Sequence, residues 1–199
     1  MEWRSLSLED SEYTPFLTAS ASVDIAIELG SFHRVLVLCC GCGAEVLALA
    51  HEGVAKSVYG SDLDPKAIVT SWLNLKRNPH EAVRGFWVRD GLEGAEGHFD
   101  LIIAGPPLTS DDCVPSELEG RPSMSLDGGS DGLKVHRKIV PVVASVLEPE
   151  GRFIVTVAHG QYRPVRALAE AHDLQFIRFQ RCRVHGVPRH LIFGRANEV

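Results

Sequence analysis

Three cysteines and two glycines stand together in Cys39-Cys40-Gly41-Cys42-Gly43, directly after the apolar run Val35 to Leu38. Glycines at a strand-to-helix turn let the backbone come close to a ligand, and the first amides of the next helix attract negative charge. About 20 residues further on, Asp62-Leu63-Asp64-Pro65 sets a carboxylate where a second strand tip would offer it to ribose hydroxyls. Asp90-Gly91 and Gly105-Pro106-Pro107 close two more apolar runs. In open α/β sheets ligands bind outside the carboxyl ends of the strands, so four marked strand ends in succession describe one site for a nucleoside-type ligand.

Other residues admit two readings. Asp111 and Asp112, after the Pro-Pro pair, could orient or deprotonate an amine acceptor, or be solvated acids of a polar loop. His159, just after the fifth strand, is either a general base or a surface histidine. Trp3, Tyr13 and Phe16 either cover the acceptor pocket or pack on the sheet edge. A structural zinc needs four ligands, and Cys113 and Cys182 stand alone, so no metal is expected. Cys42 reads as a packed small residue, with a reactive thiol as the alternative.

The elements that must position these residues follow from periodicity. Strand-length apolar runs alternate with helix-period segments: Arg34 to Cys39, Ala44 to Glu52, Ser57 to Asp62, Pro65 to Lys76, Phe86 to Val88 and Phe99 to Ala104. A long helix over Leu133 to Leu147 and a fifth strand over Arg152 to Ala158 complete the alternation, which predicts a Rossmann-like, doubly wound α/β sheet. Leu174 to Val184 and Arg189 to Arg195, joined by His185-Gly186-Val187-Pro188, read as a C-terminal antiparallel hairpin. Residues 1–33 read as an N-terminal arm with a helix at Val23 to Leu29, and residues 34–199 as the ligand-binding domain. Leu108 to Ser130 is a long irregular stretch of the kind that serves as a lid or binding loop.

With 199 residues, 45% hydrophobic and 23% charged, the chain has the composition of one globular domain. No apolar stretch reaches the roughly 20 residues of a membrane span, and no charged-then-apolar signal segment opens the chain. Five cysteines, three of them crowded together, fit a reducing compartment, so a cytoplasmic location is expected. The net charge of −6 divides unevenly, because residues 174 to 199 carry five arginines against one acid. Duplex nucleic acid is bound mainly through phosphate neutralisation, which argues against a nucleic-acid partner and leaves a small or local one.

The motifs resemble those of the class I S-adenosylmethionine-dependent methyltransferases, within them the HemK/PrmC-like group that includes the release-factor glutamine methyltransferases. The resemblance covers roughly residues 30 to 195. It rests on the glycine turn at 39 to 43, on Asp62-Leu63-Asp64-Pro65-Lys66-Ala67, on Asp100 to Leu108, and on Asp127-Gly128-Gly129-Ser130-Asp131-Gly132-Leu133. It implies a seven-stranded sheet of order 3-2-1-4-5-7-6 and S-adenosylmethionine as cofactor. It also implies roles: Cys39, Gly41 and Gly43 around the methionine part, Asp62 on the ribose, Leu63 over the adenine, Asp90 with Gly91 at the adenine amino group. Gly105, Pro106 and Pro107 would form the catalytic loop beside both cofactor and acceptor.

The chain departs from that pattern in three places. The group's Asn-Pro-Pro-Tyr loop reads Gly105-Pro106-Pro107-Leu108, so both side chains that orient a planar nitrogen are missing. Val37 stands where strand one usually carries an acid, and Cys39 replaces the first glycine of the turn. The expected activity is therefore methyl transfer to a small-molecule or peptide acceptor, an amine or a hydroxyl, recognised locally because only about 30 residues precede the core. A glutamine methyltransferase of the release-factor type is the alternative. A sulfonium chemistry other than methylation, or a subunit that binds the cofactor without reaction, also stays open.

Overall fold

The computed structural model describes residues 1–9, 11–13, 15, 17–94, 96–110, 122–181 and 189–195. In chain order the elements are β1 (Glu2–Trp3), β2 (Leu6–Ser7), α1 (Leu17–Leu29), β3 (Phe32–Leu38), α2 (Ala44–His51), β4 (Ala55–Asp62) and α3 (Pro65–Arg77). They continue with β5 (Val83–Val88), β6 (Phe99–Ala104), α4 (Lys134–Val146), β7 (Leu147–Val157), α5 (Tyr162–Glu170), β8 (Leu174–Arg181) and β9 (Arg189–Arg195).

Val35, Leu36, Val37 and Leu38 are all buried, as the middle strand of a parallel sheet requires. Val35 and Val37 join the core built with α1, α2 and α3, while Leu36 and Leu38 join a second core with α4 and α5 on the opposite face. The seven-stranded sheet has the order β5-β4-β3-β6-β7-β9-β8, with β9 antiparallel to both neighbours and the other pairs parallel. Numbered from β3, this is 3-2-1-4-5-7-6. Its C-terminal edge brings together the ends of β3, β4, β5 and β6, where the marked residues lie.

Local chemistry sets the boundaries. Asp64 caps α3, its Oδ1 accepting from the Lys66 amide at 2.9 Å, and Pro65 begins the helix without an amide to orphan. Gly128 sits where a Cβ would lie 2.7 Å from Gly132 Cα and 2.8 Å from the Thr109 carbonyl, so only glycine allows the close approach. Gly128 N donates to that carbonyl at 2.9 Å, which docks the Asp127-Gly128-Gly129 turn onto the chain after the Pro-Pro pair.

Several boundaries differ from expectation. α1 begins at Leu17 rather than Val23, because its first turns carry small residues that let α1 lie close to α2 and give no apolar stripe. The N-terminal arm contains a hairpin, β1 with β2, turned by Arg4 and Ser5 at φ 46° and 65°. β7 starts at Leu147, through a Pro-Glu-Gly sequence that reads as a turn, with an irregularity against β6. α5 has no counterpart in the sequence reading: it is nine residues long, so its apolar stripe, Val165 and Ala169 one turn apart, is short. The proposed hairpin turn at 185–188 lies outside the described residues.

Candidate functional site

A cleft of about 270 Å³ opens at the C-terminal edge of the sheet. Its floor is the turn after β3, shaped by backbone conformation. Cys39, Gly41 and Gly43 all have positive φ, at 56°, 53° and 75°. Cys39 thus occupies a left-handed position that glycine adopts without strain. No described atom lies within 4 Å of where a Cβ on Gly41 would stand, and Gly41 faces the cleft. Gly43 does not line it: a Cβ there would meet the Phe86 ring at 2.8 Å and Ser71 Oγ at 2.9 Å. Gly43 is required by packing under the turn, which corrects its expected place beside the ligand.

Asp62 ends β4 beside the turn. Its Oδ2 accepts from the Gly41 amide at 2.8 Å and its Oδ1 from the Asp64 amide at 3.0 Å. The Leu63 amide also faces this carboxylate, which still has acceptor capacity left toward the cleft. Burial pushes this carboxyl up, while those amide bonds hold it down. Leu63 is 49% exposed at the cleft, an apolar surface with little over it. Asp90 and Gly91 follow β5 and line the same end, where Asp90 is paired with Lys138 of α4 rather than free. Arg89 stacks its guanidinium over Trp87, 4.6 Å from the ring centroid.

Gly105 and Pro107 line the cleft on the β6 side, and Pro106 between them is buried away from it. A Cβ on Gly105 would meet no described atom within 4 Å, so this position leaves open space. His159 is exposed and absent from the cleft lining, which removes it as a base at this site. Asp111, with Asp112, Cys113 and Phe16, lies outside the described residues. Trp3 packs on the core of the α1 face, whereas Tyr13 lines the cleft and its hydroxyl donates to Asp64.

Four residues of consequence escape sequence reasoning. Gln161, at the start of α5, is buried and donates from Nε2 to the carbonyls of Leu108 and Gly132 at 3.1 and 3.2 Å. Its Oε1 accepts from the Ala158 amide at 2.8 Å, so one side chain ties the Pro-Pro loop, the turn before α4 and the end of β7. Asn74 joins Cys42 O to the Glu9 amide, linking the glycine turn to the N-terminal segment. Asp127 lines the cleft beside the Pro-Pro loop, with Lys134 holding its carboxyl below the usual range. Glu45, in the first turn of α2, is 8% exposed, lines the cleft and is pushed up to about 7 by burial. Asp127 opens a stretch marked in the sequence, where no role falls to this residue, while Gln161, Asn74 and Glu45 are single polar residues at or within helices, with no local signal to mark them.

The Cys39 and Cys40 thiols are raised by burial, and none of Cys39, Cys40 and Cys42 is in a disulfide. No group of three or more His, Cys, Asp or Glu among the described residues could hold a metal ion. No helix among the described residues is long and apolar enough to cross a membrane.

Comparison with known proteins adds to this geometry. Residues 23–119 match the model of the family described as methyltransferase small domain. The release factor glutamine methyltransferase of Bradyrhizobium diazoefficiens is 31% identical over 192 residues, covering 92% of this chain and 65% of that protein. The ribosomal protein uL3 glutamine methyltransferase of Neisseria gonorrhoeae is 30% identical over 132 residues, covering 65% of this chain and 44% of that one. The chain thus spans between about half and two thirds of the length of these curated relatives. A solved methyltransferase from Pyrococcus furiosus superposes with a TM-score of 0.75 at 17% identity, covering 98% of this chain and 91% of that one, which speaks to the fold.

Proposed function

The chain belongs to the class I S-adenosylmethionine-dependent methyltransferases, in the HemK/PrmC-like group, and from that membership we propose that it methylates a small or locally recognised acceptor, an amine or a hydroxyl. The cleft residues fit S-adenosylmethionine. Gly41 leaves the floor open, Asp62 keeps acceptor capacity for ribose hydroxyls, and Leu63 offers an exposed apolar cover for the base. When bound, the cofactor supplies an electrophilic methyl group on a sulfonium, open to in-line displacement.

The chain's own contribution is position and exclusion of water. Gln161 fixes the Pro-Pro loop against the turn before α4, so the wall beside the acceptor is held from behind. Tyr13, bonded to Asp64, closes part of the cleft above Asp62. Asp127 is ion-paired with Lys134, which holds its carboxyl below the usual range, so it serves as a hydrogen-bond acceptor of partly offset charge rather than as a base. That charge suits an acceptor with N–H or O–H groups, and the net charge of −6 speaks against nucleic acid.

The observation that carries the acceptor reading is Gly105. Residue 105 has no side chain, and a Cβ there would meet no described atom within 4 Å, so this position offers the hydrogens of a planar amide nitrogen no acceptor, and the carboxylate on this side of the described lining is the paired Asp127. An unpaired polar group in a dry site costs about 1–3 kcal/mol, or one to two powers of ten in rate. A second reading, methylation of a protein glutamine, is favoured by the names and 30–31% identity of the relatives. The test is transfer of labelled methyl to a Gly-Gly-Gln peptide and to panels of amines and hydroxyl compounds. We expect label on an amine or hydroxyl and none on the peptide; robust labelling of the peptide glutamine overturns the acceptor assignment in favour of the second reading.

A further inference from the structure

Glu45 has a place in the cleft that none of the roles above uses. Asp62, Leu63 and Asp90 gather at one end, where an adenosyl group would lie, and Gly41 is the floor between. On the α1 side the cleft is lined by Thr18 and Ala19 of α1 and by Glu45 of α2, with Ser22 of α1 in contact with both Glu45 and the Ala19 carbonyl. A ligand with its ribose on Asp62 must lay the rest of its length at this second end. S-adenosylmethionine carries there an amino acid with a primary ammonium.

The surroundings of Glu45 show what it lacks. Ser22 Oγ of α1 lies in hydrogen-bond contact with both Glu45 Oε1 and the Ala19 carbonyl, the latter at 2.9 Å. A hydroxyl has one hydrogen, so both contacts are satisfied together only when Ser22 donates to Ala19 and a protonated Glu45 donates to Ser22. Among the described residues no ammonium or guanidinium pairs with Glu45. Two other titratable groups stand near this end among the described residues: Cys39, whose thiol burial and nearby carboxylates keep neutral, and His190 of β9, which faces the Thr18 backbone and whose imidazole burial pushes down to about 4. A nearly buried carboxyl facing a ligand cleft without a cation is complementary to a cation that arrives with the ligand.

Resting on the reading of the cleft as an S-adenosylmethionine site, we propose that Glu45 is the cation anchor of its amino-acid end, receiving the ligand's ammonium. Its proton passes to solvent on binding, and Ser22 then turns its hydrogen between the two acceptors. The residue positions and selects the ligand, and takes no part in bond making at the methyl group. This gives the chain an acid at the ammonium from α2, where Val37 offers none from β3.

Calorimetry with S-adenosylhomocysteine and its 4-thiobutanoate analogue, which lacks just the amino group, tests this on the wild type and on Glu45→Gln. Glutamine keeps the shape and the contact with Ser22 but cannot ionise. The wild type is expected to prefer S-adenosylhomocysteine by about tenfold or more, as a charge-assisted bond implies, and to release protons on binding it below pH 7. Glu45→Gln is expected to lose that preference, to release no proton, and to bind the analogue within about threefold of the wild type. If the wild type does not discriminate the two ligands, or Glu45→Gln still does, the anchor is wrong while the cofactor site stands. If the wild type binds neither ligand, the cofactor reading itself falls and the anchor with it.

Discussion

Asp62 engages one carboxylate oxygen with the Gly41 amide and the other with the Asp64 amide, so removing it disturbs the turn as well as the ligand. Asp62→Ala is expected to weaken S-adenosylhomocysteine binding by about 1–3 kcal/mol, and unchanged affinity in calorimetry would take Asp62 out of the site. Glu45 makes a different demand, on stability. Its folded value of about 7 lies above the ordinary 4.5, so the folded state holds its proton more tightly than the unfolded one. The stabilisation is complete below about pH 4.5 and is lost as pH rises through 7, a change of about 3 kcal/mol. Glu45→Gln of the free protein should therefore unfold at higher urea than the wild type at pH 8, with the two converging near pH 4.5. Equal midpoints at pH 8 would show that the acid is not buried at a cost. At this scale Asp62 and Gly41 were legible as candidates because their types and spacing are local, and both line the cleft. Gly43 was misplaced, since nothing in the chain near residue 43 announces the Phe86 ring that arrives from β5.

Elements were legible where a buried apolar run had no competing signal. β6 was read at its observed limits, Phe99 to Ala104, and α3 within one residue, because Asp64 and Pro65 state where the helix begins. α5 was invisible, yet it carries the Gln161 side chain that holds the Pro-Pro loop. Gln161→Ala would leave the Leu108 and Gly132 carbonyls and the Ala158 amide without these bonds, at a cost of about 1–3 kcal/mol each way the loop relaxes. The cofactor end of the cleft does not touch that side chain. The expected result is an S-adenosylhomocysteine affinity within about threefold of the wild type and a kcat on the true acceptor lower by about tenfold. A variant that loses cofactor affinity and keeps kcat would show that α5 supports the other end.

Alternation predicted a doubly wound sheet, and the resemblance to the methyltransferase group supplied the order 3-2-1-4-5-7-6 that the sheet has. What alternation could not supply is the partner of the first residues. β1 and β2 have two residues each, far short of a hairpin that stands alone, and turn through two non-glycine residues at positive φ. They are held by α3: Asn78 exchanges bonds with both Ser7 amide and carbonyl, and Asn74 accepts from Glu9. Arg4 reaches Asp24 and Glu52 from the turn itself. These contacts span 71 and 65 residues of chain, so no local pattern foreshadows them.

That long reach sets an order of assembly. The first residues of the chain can gain these partners only once α3 stands on the sheet, so the segment that carries Tyr13 over the cleft is expected to open separately from β3 and β6, at the cost of exposing Leu6 and Leu8, which it buries in the core of the α1 face. Such opening would uncover the cleft and give a ligand a route in. Amide exchange should report this directly: Ser7 and Glu9 are expected to exchange well before Val37 and Ile102 in the free protein, and to slow when S-adenosylhomocysteine is bound. Equal protection of all four amides would mean that the N-terminal segment opens only with the whole molecule, and that the ligand enters by another path.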